Sequence, residues 1–183
     1  MKTVDSYLEW KSWSPEDFGV CNAEQTRYFE EELKKAGMFL GENISVLEIG
    51  FGNGQFAGWA RSKSSVYVGT ELEETLLARA SADGFEVYPA TLDVTAIAAG
   101  RKFDCVVVFD VFEHLEITDL LLLLQSLSNS LADGGRILAR FPSGDSPFSR
   151  AIQYGDITHK SVIGSGIISQ LAYDTDLIPL QIR

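Results

Sequence analysis

The sequence predicts an α/β fold: a doubly wound, mostly parallel sheet with helices on both faces. Three observations carry this. Short apolar runs that suit buried strands alternate with helix-period segments from residue 22 to residue 141. A glycine-rich loop, VLEIGFGNGQF at residues 46–56, falls directly between the first of these strands and the next helix. The clearest strand, FDCVVVF at 103–109, is followed by a leucine-striped helix and another strand, the order that a covered parallel sheet requires.

Each element has its own signal. Asn22 opens a helix, with Gln25 three residues on as in a capping box and Glu24 in the positive first turn. The helix continues through Tyr28, Phe29 and Leu33, and Gly37 stops it. Residues 44–49 form an apolar strand with one acid, Glu48. A helix is expected over 55–62, a strand over 65–69, a helix over 73–82 and a third strand over 85–89. Leu120, Leu123, Leu124, Leu127 and Leu131 fall at helical spacing in 119–131. The turn Asp133-Gly134-Gly135 then leads into a strand at 136–141. The tail predicts a loop at 142–155, a glycine-weakened helix over 161–173 and a strand over 176–183, at an edge because of Pro179. Residues 1–21 are the least regular; Tyr7, Trp10, Trp13 and Phe18 are spaced as packing contacts or as a lid, with packing favoured.

Composition narrows the function. The 183 residues are 45% apolar and 22% charged, with a formal net charge of −11. A nucleic-acid partner would need basic residues to neutralise phosphates, and an anionic membrane surface would also repel this chain. No apolar run is long enough to span a bilayer, and the charged N-terminus has no signal-peptide core. Cys21 and Cys105 are far apart and match no metal spacing, so neither a disulfide nor a metal site is expected. The expectation is a cytoplasmic single domain over 1–183: an N-terminal helical cap at 1–43, a core at 44–141, and a loop and short tail at 142–183.

The glycine loop is the strongest local signal. Glycine serves where backbone turns tightly or a ligand approaches closely, and the helix start behind it offers free N–H groups. A dinucleotide loop would read G-x-G-x-x-G, but the sixth position from Gly50 is Gln55. The pattern that fits is E-x-G-x-G-x-G, led by Glu48. The acids Glu48, Glu71, Glu73 and Glu74 also suit a cationic ligand better than a pyrophosphate. Glu71, at the end of the second strand, is placed to accept two ribose hydroxyl hydrogen bonds; its plainer role is a helix N-terminal acid.

These motifs resemble those of the class I S-adenosylmethionine-dependent methyltransferases, over about residues 40–145. VLEIGFGNGQF resembles their first motif and VGTELEE, at 68–74, their second strand with its ribose-binding acid. TLDVT, at 91–95, resembles the adenine-binding turn, and FDCVVVFDVFEHL, at 103–115, the fourth strand with its D-x-x-E-H end. LADGGRILARFP, at 131–142, is similar to the Gly-Gly turn and fifth strand. The resemblance implies a Rossmann-like, seven-stranded sheet with S-adenosyl-L-methionine across the carboxyl ends of the first strands and S-adenosyl-L-homocysteine as product. It further implies cofactor contacts from Glu48, Gly50, Phe51, Gly52, Asn53, Gly54, Glu71, Leu72, Leu92, Asp93, Val94 and Asp110. Phe51, Leu92 and Asp93 equally fit ordinary core and strand-end positions.

On the acceptor side the resemblance implies Glu113, Tyr154 and Asp156, with His159 and His114 as candidate catalytic groups. Histidine is the side chain best matched to proton transfer near neutral pH, and the chain has only two. The E-H pair at 113–114 reads more as site architecture than as a base. The segment YGDITHK, at 154–160, is similar to methyltransferases of saccharide-type acceptors; Asp156 and Thr158 equally suit caps of the next helix, with His159 on its first turn. O-methyl transfer to a small-molecule or saccharide acceptor is the leading expectation. A non-catalytic cofactor-binding regulatory or assembly protein is the alternative, and a nicotinamide oxidoreductase fits less well. The abbreviated C-terminal part of the sheet raises the expectation of a homodimer through that edge.

Overall fold

The computed structural model describes residues 11, 13, 17–63 and 65–183; Tyr7 and Trp10 lie outside the described residues. The chain divides into two compact units, Met1–Ala90 and Thr91–Arg183.

The first unit opens with helix α1 (Ala23–Lys35). The Asn22 side chain accepts from the Gln25 amide, and the Gln25 side chain accepts from the Asn22 amide, both at 2.9 Å. This reciprocal cap satisfies two of the helix's orphan donors. Strands β1 (Ser45–Ile49), β2 (Val66–Glu71) and β3 (Glu86–Pro89) pair in parallel in the order β3-β2-β1. Helices α2 (Gln55–Ser62) and α3 (Glu74–Ala82) connect them. Four of the five β1 residues, from Val46 to Ile49, are buried, as a strand covered on both faces requires. Phe29, Phe56 and Trp59 pack as one aromatic group, and Phe18, Phe51, Tyr67 and Phe85 as another. Phe18 is thus a packing residue, as its spacing predicts.

In the second unit a short helix α4 (Thr95–Ala98) precedes strand β4 (Phe103–Phe109), and helix α5 (Ile117–Ser130) crosses to strand β5 (Leu131–Arg140). The two strands are parallel, with Cys105 opposite Arg136 and Phe109 opposite Arg140. Leu120, Leu123, Leu124 and Leu127 of α5 are buried, the face read from the sequence. The Asp133-Gly134-Gly135 turn is present, but as an irregularity in a strand that already begins at Leu131. A Cβ on Gly135 would stand 2.6 Å from the Phe103 carbonyl oxygen, which explains the glycine there. Both cysteines are free thiols, Cys105 buried.

After β5 come two helices, α6 (Arg150–Gln153) and α7 (Ser165–Asp174). The helix expected over 161–173 begins four residues later, because the chain at Ile163 is first pinned in a parallel bridge to Ser143. Gly164 is its N-cap, and Asp145 accepts from the Ser165 amide at 2.7 Å, which holds the Asp145 carboxyl below its ordinary range. The strand expected over 176–183 does not form. Asp176 takes a left-handed φ of 57°, which turns the chain out of line, and Pro179 lacks a ladder donor. Ile178, Leu180 and Ile182 remain exposed. No described helix is long and apolar enough to cross a membrane.

The N-terminal segment lies directly on α2: a Cβ on Gly58 would stand 2.0 Å from the Gly19 carbonyl oxygen. Gly58→Ala is therefore expected to destabilise the chain by roughly 1–3 kcal/mol. Gly166→Ala, inside α7 with nothing within 4 Å of the added methyl, should instead stabilise by up to about 1 kcal/mol. Denaturant unfolding of the two variants checks both signs.

Candidate functional site

The first unit carries the glycine loop. Leaving β1, the chain passes through left-handed φ values at Gly50 (71°), Gly52 (53°) and Gly54 (74°), and Gly54 is the N-cap of α2. The Gly50 and Phe51 amides both donate to the Thr70 carbonyl, at 2.8 and 3.1 Å, which fastens the loop to the end of β2. Gly52 has a second reason to be glycine: a Cβ there would stand 2.7 Å from the Trp13 ring. Asn53 accepts the Gly19 amide on its carbonyl at 2.9 Å.

Glu71 ends β2 beside this loop. One carboxylate oxygen accepts the Gly52 amide at 2.8 Å; the other accepts the amides of Leu72 at 2.7 Å and Glu73 at 3.1 Å. The macrodipole role of a helix-terminal acid is thus only part of its work. An ionised carboxylate has about four acceptor positions, so the fixed group keeps capacity for a ligand hydroxyl. Leu72 beside it is 82% exposed. Glu48 and Phe51 are placed differently, both in the core. Phe51 meets Phe18 edge-on at 5.7 Å, and the Tyr67 hydroxyl donates to Glu48 at 2.6 Å. Burial first, with the nearby Glu71 charge adding to it and the Tyr67 hydrogen bond opposing, raises the Glu48 carboxyl to about 8.

In the second unit Leu92 is half-buried, Asp93 exposed and Val94 buried. The Asp93 carboxylate accepts from the Thr95 hydroxyl, the Thr95 amide at 3.1 Å and the Ser126 hydroxyl at 3.4 Å. The Thr95 hydrogen bonds hold its carboxyl below the ordinary range. Asp110, at the end of β4, has a left-handed φ of 56° and meets the Arg140 guanidinium through both carboxylate oxygens.

The two histidines come together here. Glu113 and His114 lie in a 3-10 turn, Phe112–His114, just past β4. The Glu113 carbonyl accepts the amides of Lys160 at 2.8 Å and Ser161 at 3.1 Å, and the Ser161 hydroxyl donates to the Leu115 carbonyl at 2.6 Å. These bonds bring the His114 and His159 rings to 4.8 Å between centroids, edge to face. His159 does not lie on a helix: Asp156 instead closes a local turn, accepting the Thr158 amide at 2.9 Å and hydroxyl at 2.5 Å. The His159 and Asp156 side chains are only 6% and 8% exposed, with Nε2 and Oδ2 3.8 Å apart. Tyr154 is exposed.

The supporting residues were the harder part to foresee. The Asp156-x-Thr158 spacing is readable, since a short acid commonly accepts from the amide two residues on. Nothing in the sequence marks Gln153, whose carbonyl sits 2.9 Å from His159 Nδ1, or Ser126, which accepts the Val94 amide at 2.8 Å.

A family profile described as a methyltransferase domain matches residues 21–163. The chain belongs to this methyltransferase family. Its fold is the Rossmann-like one of these enzymes, shared by solved structures of low sequence identity. A SAM-dependent methyltransferase from Archaeoglobus fulgidus is 20% identical with a TM-score of 0.67, covering 81% of this chain and 67% of that one. A putative sarcosine dimethylglycine methyltransferase from Galdieria sulphuraria is 17% identical with a TM-score of 0.66, covering 94% and 71%. Magnesium protoporphyrin IX methyltransferase from Synechocystis PCC 6803, with bound SAH, is 14% identical with a TM-score of 0.64, covering 93% and 84%. No curated protein sequence matches the chain.

The buried Glu48 makes stability pH-dependent. Between its ordinary value of 4.5 and its raised value of about 8, the folded chain keeps a proton that the unfolded chain has lost. This group's contribution is therefore complete below the lower value and declines as pH rises, by about 1.4 kcal/mol per unit across the window. Glu48→Gln, which cannot ionise, should flatten that slope. Denaturation midpoints of both proteins at pH 5, 6.5 and 8 measure it.

Proposed function

We propose that this methyltransferase takes its methyl group from S-adenosylmethionine and delivers it to an oxygen of a small-molecule or saccharide-type acceptor. The observation that carries the cofactor half is the Glu71 carboxylate, fixed by the Gly52 amide at 2.8 Å with acceptor capacity remaining. A ribose hydroxyl is the group that such a carboxylate and an adjacent glycine backbone suit. The three left-handed glycines add no Cβ of their own to that backbone. Leu72, Leu92, Asp93, Val94 and Asp110 belong to the cofactor side in this reading, while Glu48 supports the loop from the core.

S-adenosylmethionine supplies an already activated methyl group on a sulfonium, so the protein's work is to align the acceptor and manage its proton. In this reading Glu113, His114, Asp156 and His159 are the acceptor side. His159 Nδ1 faces the Gln153 carbonyl, which can only accept, so Nδ1 carries the proton and Nε2 keeps its lone pair in the neutral ring. The same lone pair faces the Asp156 carboxylate, which stabilises positive charge on the ring once a proton is taken up. Tyr154, exposed beside this loop, is assigned to acceptor contact. Saccharide acceptors are favoured over other hydroxyl compounds by the likeness of the YGDITHK segment alone.

Glu71→Ala is expected to weaken S-adenosylhomocysteine binding by roughly 2–3 kcal/mol, about thirty- to a hundredfold, through the lost ribose and Gly52 contacts. Isothermal titration on the folded variant measures this, and wild-type affinity would return Glu71 to a purely structural role. His159→Ala should keep cofactor affinity but cut turnover on a responsive hydroxyl acceptor by roughly a hundredfold. A panel of sugars and small alcohols, followed by S-adenosylhomocysteine release, supplies the acceptor for that comparison. Binding of cofactor with no turnover on any acceptor would favour a non-catalytic role.

A further inference from the structure

We propose that Glu113, His114 and His159 form a binding site for one divalent transition-metal ion. One ligand-capable atom from each residue lies within 4.8 Å of the others. Three ligands that share one ion with bonds near 2.1 Å stand about 3–3.6 Å from one another, so the side chains draw in by roughly an ångström to close the set around a common centre.

Both imidazole rings are held through Nδ1. His159 Nδ1 lies 2.9 Å from the Gln153 carbonyl, an obligate acceptor. His114 Nδ1 lies 2.9 Å from the Thr158 hydroxyl. That hydroxyl gives its own proton to Asp156 at 2.5 Å, so it accepts from His114. The Thr158 carbonyl, 3.3 Å from the same Nδ1, also can only accept. Both neutral rings are therefore fixed as the Nδ1–H tautomer, with a lone pair on Nε2. This is the arrangement of a metal-ligating histidine, whose other nitrogen donates to a carbonyl or a polar side chain.

Charge points the same way. His159 Nε2 faces Asp156 Oδ2 at 3.8 Å, two electron-rich atoms directed at one another with both side chains nearly buried. The Glu113 side chain is buried close by and brings a carboxylate into the same low-dielectric space. A cation placed there has imidazole nitrogens and a carboxylate oxygen within reach together. The framework is already in place, since the Glu113 carbonyl holds the Lys160 and Ser161 amides on either side of the His159 loop. Two imidazoles and one carboxylate select Mn2+, Fe2+, Co2+, Ni2+ or Zn2+ over Mg2+ and Ca2+, and three protein ligands leave positions open for oxygen donors.

The inference deepens the reading of this cluster as the acceptor side. An ion held by the Nε2 atoms would draw negative charge onto a coordinated acceptor hydroxyl, whose proton would pass to water rather than to the ring as the oxygen takes the methyl group.

The test uses the full chain, stripped with a chelator and titrated with Mn2+ and Zn2+ by calorimetry and with Co2+ by visible absorption. One saturable site per chain is expected, with a Co2+ spectrum of nitrogen and oxygen ligation. His159→Ala should weaken binding by roughly a hundredfold, and Thr158→Val, which removes the hydroxyl partner of His114, by roughly tenfold. Circular dichroism establishes that each variant is folded. Absence of saturable binding to the wild type, or equal binding by wild type and folded His159→Ala, overturns the site. Metal-free protein that binds S-adenosylhomocysteine and transfers methyl groups at full rate overturns the metal's role and leaves the methyltransferase reading intact.

Discussion

Three backbone amides converge on one carboxylate, Glu71, and the loops of the first unit are organised by that convergence. The Gly52 amide comes from the loop after β1, while those of Leu72 and Glu73 come from the turn after β2. With the Gly50 and Phe51 amides on the Thr70 carbonyl, they make the two loops one rigid piece. Gly52 makes its bond to Glu71 from a left-handed backbone conformation, the region that glycine enters without strain. The aromatic side chains of Trp13 and Phe18 then close over the glycines, where any Cβ would collide with them.

The histidine cluster is built on the opposite plan. Its framework is made of carbonyls rather than amides: those of Glu113, Gln153, Leu115 and Thr158 each accept a bond that fixes a neighbour. The Gln153 carbonyl leaves His159 no choice of tautomer, and for His114 the Thr158 hydroxyl joins the Thr158 carbonyl in the same task. Side-chain identity matters at fewer positions here than the density of polar residues suggests.

Much of this was legible in the sequence because it is local. The Asn22–Gln25 cap, the buried run of β4 and the leucine face of α5 depend on residues a few positions apart. The glycine loop and Glu71 were legible as a motif. What was not legible depends on register. Tyr67 reaches Glu48 only because β1 and β2 align Glu48 with Gly69, one pleat away, so the acid of the glycine motif has a buried partner that no spacing announces. The meeting of His114 and His159 requires the Glu113 carbonyl to find the Lys160 and Ser161 amides, which no spacing encodes. The tail failed for a different reason: alternating apolar residues at 177, 178, 180 and 182 mimic a strand, but the left-handed turn at Asp176 and the missing donor of Pro179 outweigh the pattern.

The segment 154–160 works as a ruler. It is clamped at one end by Gln153, whose amide donates to the Ser161 carbonyl at 3.1 Å, and at the other by the Lys160 and Ser161 amides on Glu113. Exposed positions within it, such as Tyr154 and Ile157, are open to exchange without moving the clamps. An inserted or deleted residue would instead slide Thr158 and His159 out of step with His114. Diversification of this loop is therefore confined to changes of side chain at constant length, and the surface offered to a reacting partner can be rewritten while the histidine spacing stays the same.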